Sequence, residues 1–183
     1  MAAASWLNYV YHAYLSNPKG DRILFRTVKR RKACRIVELG IGSLARSRRL
    51  IEIAQRNMGS RPVAYSGLDW FDTRPETLPM MRLKDAYRVL HTTGAETRLI
   101  PGDPAQSLLA VANEHVGTDI LVISWDVEME SLASAWFYVP RMLHPNSVVL
   151  RQVETRDGKS AFERIAQESI EQWAGTDKSR RAA

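Results

Sequence analysis

From Arg35 onward the chain alternates short aliphatic runs with helix-length amphipathic segments. Arg35 to Leu39, Val63 to Leu68, Thr97 to Ile100, Thr118 to Ser124 and Ser147 to Val153 have the length and near-continuous apolar character of strands covered on both faces. Between them, Leu44 to Asn57, Leu83 to Thr92, Pro104 to Glu114 and Glu128 to Leu143 have helical length, and a last helix is predicted over Ala161 to Trp173. Strand and helix in alternation predict right-handed crossovers and a doubly wound, mostly parallel sheet of about five strands in the order 3-2-1-4-5. A ligand then belongs at the carboxyl ends of the strands, beside the first.

Two helices are predicted ahead of the first strand. Ser5 to Leu15 carries Trp6, Leu7, Tyr9, Val10, Tyr11 and Tyr14 and is too apolar to stand alone, so it must dock on the domain or on a partner. The second runs through Ile23, Leu24 and Val28, with Pro18 near its start. Residues 1–33 are thus read as a helical segment, 34–174 as one α/β domain, and 175–183 as a frayed, disordered basic tail with almost nothing apolar.

Composition narrows the class. A chain of 183 residues, 45% hydrophobic, builds one core without staples. The lone cysteine, Cys34, excludes an internal disulfide and suits a reducing compartment. No basic stretch followed by an apolar run opens the chain, and no long apolar run follows, so a soluble, cytoplasmic protein with no membrane partner is expected. The net charge of +6 is uneven, with +9 up to Ser60 and −3 beyond it. A basic end can steer nucleic acid or another anion, but no aromatic residues interleave with Lys29 to Lys32 to stack bases, and a solvated helix terminus explains the cluster as well.

The densest chemistry lies at Val37-Glu38-Leu39-Gly40-Ile41-Gly42-Ser43, a strand entering a glycine turn that opens a helix. Gly40 and Gly42 allow a tight turn and close approach of a ligand to the backbone. A carboxylate at Glu38 opposes a pyrophosphate and favours a cationic ligand, which speaks against NAD. Later strand ends add Gly67-Leu68-Asp69-Trp70, Pro101-Gly102-Asp103-Pro104 and Ile123-Ser124-Trp125-Asp126.

In these motifs, over roughly Arg35 to Val153, the chain resembles the class I S-adenosylmethionine-dependent methyltransferases, whose fold is Rossmann-like. The resemblance implies S-adenosylmethionine as cofactor and an unknown acceptor substrate. It assigns Glu38 to the amino-acid end of the cofactor, Gly40 and Gly42 to the cofactor-binding turn, Asp69 to the ribose, and Gly102 and Asp103 to the adenine, with Trp70 and Ser124 as further cofactor-binding residues on the same rim. Asp126 is the candidate catalytic base, and helix capping is its structural alternative, as it is for Asp103. His12, His91, His115 and His144 have no metal-ligand spacing, so no metal is expected. Too little chain follows the fifth strand for the family's usual last two strands. A non-catalytic adenosyl-binding or interaction module therefore stands beside the methyltransferase reading. Self-association through the N-terminal helix or an open sheet edge is a further expectation.

Overall fold

The computed structural model describes residues 20–155 and 158–181. The expected helix over Ser5 to Leu15 lies outside them. Helix α1 (Asp21–Arg31) leads into β1 (Arg35–Leu39), α2 (Leu44–Met58) and β2 (Ala64–Asp69). After a single 3-10 turn come α3 (Leu83–His91), β3 (Glu96–Pro101), α4 (Pro104–Val111) and β4 (Thr118–Ile123). One helical turn, α5 (Val139–Met142), precedes β5 (Leu143–Glu154), β6 (Ser160–Ile165) and α6 (Gln167–Arg181).

The six strands form one sheet in the order β3-β2-β1-β4-β5-β6. The first five are parallel, and β6 returns antiparallel to β5. The fold is the Rossmann-like three-layer α/β arrangement, and the strand order reverses between β1 and β4, where such sheets open a crevice. Period-two alternation divides the core: Ile36, Ile120 and Val122 meet α1 and α2 through Leu24, Phe25 and Leu50 on one face. On the other, Val37, Leu121 and Ile123 pack with Leu108, Trp136 and Ile170. Each fully buried Leu, Phe or Val contributes about 1.5–3 kcal/mol.

Four sequence-based expectations are corrected here. The sheet has six strands, because residues 161–165, expected to be helical, pair with β5 from Val149↔Ile165 to Glu154↔Ser160. Phe162 and Ile165 are three apart and read as one face of a helix; in a strand that spacing sends Phe162 into one core and Ile165 into the other. Over Glu128 to Leu143 the chain runs mostly in turns and only Val139–Met142 is helical, with Pro140 unable to donate within a longer helix. Strand β5 starts at Leu143, four residues before the expected start at Ser147. At the other end the backbone is helical through Arg181, past Gly175. Among the described residues no helix is long and apolar enough to cross a membrane.

Candidate functional site

Strand β1 runs into a turn at Gly40 and Gly42, with φ of +72° and +32°, conformations open to glycine. The turn is pinned by Gly40 N donating to Leu68 O and by Ile41 N donating to Asp69 Oδ2 at 2.6 Å. The loop after β4 crosses it closely. A Cβ on Gly40 would lie 2.9 Å from Asp126 Oδ1, Ser124 Cβ and Val127 Cγ2, so no other residue fits here. Phe71, just past Trp70, is a buried non-glycine residue at φ +48°, a strained backbone on the same rim.

Glu38 sits beneath this turn. It is fully buried, and its carboxylate accepts from Arg46 Nη2 at 2.8 Å, Ser47 Oγ at 2.7 Å and Tyr65 OH at 2.6 Å. Glu38 thereby ties β1 to α2 and β2. Arg46 extends the network to Gln152 Oε1, which also accepts from the buried hydroxyl of Ser124. Burial and then the neighbouring Glu38 push the Tyr65 hydroxyl well above its usual pKa. Burial works against the Arg46 charge, but Glu38 outweighs it and the pKa rises. Asp21, buried nearby, is raised by desolvation despite Arg46.

Asp69 is likewise enclosed. It accepts from the backbone amides of Ile41 and Phe71 and from Arg74, whose Nε and Nη2 each lie 2.7 Å from a separate carboxylate oxygen. Arg74 Nη1 reaches on to Pro79 O, fixing the segment that walls the crevice. Arg46 and Arg74 are the residues that the sequence reading missed. Their signal was an acid at each strand end with an arginine a few positions on, eight residues for Glu38 and five for Asp69.

The open part of the rim is a cavity of about 410 Å³ between the ends of β2, β3 and β4, lined by Trp70, Asp103, Trp125, Asp126 and Glu128 among others. Asp103 caps α4, its Oδ1 accepting from Gln106 N at 2.8 Å, with Pro104 in the first turn and Gly102 at φ +129° before it. Asp126 caps no helix, since turns follow it; its Oδ1 is out of solvent and has no hydrogen-bond partner among the described residues. A buried carboxylate oxygen without a donor is costly, and a ligand N–H or O–H would satisfy it. Of the sequence-predicted residues, Trp70, Asp103 and Asp126 line the cavity, Gly40 and Gly42 form the turn beside it, and Glu38, Asp69 and Ser124 support it from below. An acidic, half-enclosed crevice against a glycine turn favours a cation and opposes an anion such as a pyrophosphate.

A larger cavity of about 640 Å³ lies at the opposite, amino-terminal edge of the strands. Its lining mixes Arg35 and Arg98 with Glu96 and Glu114, and Arg98 is paired with Glu114. Ligand sites of doubly wound sheets lie at the other edge. Among the described residues, no three His, Cys, Asp or Glu side chains converge as metal ligands would.

Neither a family model nor a curated protein matches the chain in sequence. Solved structures match its fold. An O-methyltransferase from Bacillus cereus, in complex with SAH, aligns with TM-score 0.55 and 17% identity over 86% of this chain and 66% of its own. The O-methyltransferase TomG from Streptomyces achromogenes, involved in tomaymycin synthesis and in complex with SAM, aligns with TM-score 0.54 and 14% identity over 81% of this chain and 64% of its own. Cofactor-bound Rv0187 from MTB aligns with TM-score 0.51 and 18% identity, over 82% and 64%. The chain thus spans just under two thirds of the length of each. What it shares with them is the Rossmann-like fold.

Proposed function

We propose that the chain is an S-adenosylmethionine-dependent methyltransferase, binding its cofactor across the Gly40–Gly42 turn and the Trp70–Asp103 side of the crevice. The observation that carries this is Asp126 Oδ1, a buried acceptor without a donor packed on Gly40, at the point where the strand order reverses. Three carboxyl groups in the lining favour a sulfonium and an ammonium over the pyrophosphate of NAD. When bound, the cofactor supplies an electrophilic methyl group; the chain's own residues hold the acceptor in line and keep water out, which is most of what methyl transfer needs. The lone thiol Cys34 fits a cytoplasmic site of action.

One observation favours the second reading, a non-catalytic adenosyl-binding or interaction module. Both strand-end acids that the family resemblance gives to the cofactor, Glu38 and Asp69, are already saturated by side-chain donors of the chain itself. Thermal unfolding with added ligand tests adenosyl binding, which the enzyme and an adenosyl-binding module share and an interaction module lacks. S-adenosylhomocysteine at a hundredfold excess over its Kd stabilises a binding protein by about 2.7 kcal/mol, and NAD leaves this one unchanged. Incubation with labelled S-adenosylmethionine and candidate acceptors then divides enzyme from module.

A further inference from the structure

Resting on the methyltransferase reading, the crevice also indicates what is methylated. Among the described residues that line it, three are carboxylic, Asp103, Asp126 and Glu128, and none is Lys, Arg or His, although the chain as a whole is +6. Arg74, next to the lining residue Pro75, gives no compensation, because its guanidinium is turned into Asp69. The carboxyl groups differ in how they are used: Asp103 is engaged with the start of α4, Asp126 holds an oxygen without a donor, and Glu128 is exposed at the mouth.

Aromatic surface completes the arrangement. Trp125 is 60% exposed, the one tryptophan among the described residues left open to this degree, and it lines the same cavity as Trp70. The two belong to the ends of β4 and β2, which flank β1 and so stand two strand spacings apart, about 9.5 Å. An open indole beside carboxylates attracts an organic cation through its ring face and through charge together.

We propose that the acceptor is an organic amine on a flat, apolar body: its nitrogen is received by Glu128 at the mouth and its body by Trp125, while Asp126, deeper in the crevice, is left to the cofactor. An amine enters as the ammonium ion and loses a proton to water at the Glu128 mouth. The freed lone pair then forms the new N–C bond to the sulfonium methyl as the C–S bond breaks. The electron pair of that bond stays on sulfur, leaving a neutral thioether and an N-methylammonium product. Carboxylate, phosphate and phenolate acceptors are repelled by the same three side chains.

Calorimetric titration of the full chain with phenethylamine and with phenylacetate, the same ring with opposite charge, tests this with and without S-adenosylhomocysteine. The amine is expected to bind at least tenfold more tightly than the acid. Glu128→Gln and Trp125→Ala, both at exposed positions and checked for folding by circular dichroism, should each weaken it several-fold, and S-adenosylmethionine should yield N-methylphenethylamine. Equal or tighter binding of phenylacetate, amine affinity unchanged in both variants, or no amine binding in any condition overturns the proposal. Amine binding without any binding of the adenosyl ligands instead contradicts the methyltransferase reading alone.

Discussion

Arg74 closes on Asp69 through two parallel hydrogen bonds, both 2.7 Å, with 3% of the arginine side chain and none of the aspartate exposed. The acid at the end of β2 is thus a fixed anchor for the wall that carries Trp70, Pro75 and Leu78. Its bidentate geometry is specific to arginine.

Removing one partner leaves a buried charge uncompensated. Arg74→Ala is expected to cost about 3–5 kcal/mol of stability in urea unfolding, and Arg74→Lys, which keeps the charge but not the fork, to recover only part of it. If Asp69 instead served the ligand and owed nothing to Arg74, both variants would unfold like the parent.

Gly40 leads to a second expectation. With φ at +72° and three atoms 2.9 Å from its missing Cβ, Gly40→Ala should cost about 1–3 kcal/mol and displace the Ser124–Val127 loop. Denaturant titration measures the first effect, and a crystal structure of the variant the second. A fully stable variant with that loop unmoved would refute the close packing.

Much of this was legible in the sequence, and the failures have physical causes. The strand ends and the glycine turn are local features, set by near-continuous apolar runs and by positive φ, and they fall where the pattern puts them. Period two also applies to Glu38: it shares its face with Ile36, under α2, so its carboxylate meets Arg46 and Ser47 on that helix and is absent from the cavity lining. The resemblance alone, which assigns it to the cofactor, does not contain that direction. Strand β6 was missed because Phe162 and Ile165 have helical spacing while serving opposite cores. The partners of Gln152 on α2 and after β4, Arg46 and Ser124, are far from it in sequence, and no short-range pattern encodes them.

The amino-terminal edge of β4 predicts a pH dependence. Burial pushes the Asp119 carboxyl up, but hydrogen bonds from Arg35 N and Cys34 N, at 2.8 Å each, and the contact with His144 outweigh it and hold its pKa below the usual aspartate value. A depressed folded-state pKa means that the unfolded chain binds the proton more readily. Its contribution is therefore present above the ordinary aspartate pKa, near 3.9, and is lost as pH falls from there through the lower folded value. Urea unfolding between pH 6 and pH 3 should show a steeper loss for the parent than for Asp119→Asn; parallel curves would contradict it.

The central claim is that the crevice beside Gly40 holds a cationic adenosyl ligand, with Asp126 receiving part of it. Calorimetric titration with S-adenosylmethionine, S-adenosylhomocysteine and NAD, repeated on Asp126→Asn, tests it most directly. Binding of both adenosyl ligands in the micromolar range, none of NAD, and affinity reduced about tenfold in the variant, some 1.4 kcal/mol, is the predicted result. No binding of either adenosyl ligand, or NAD bound as tightly, would contradict it.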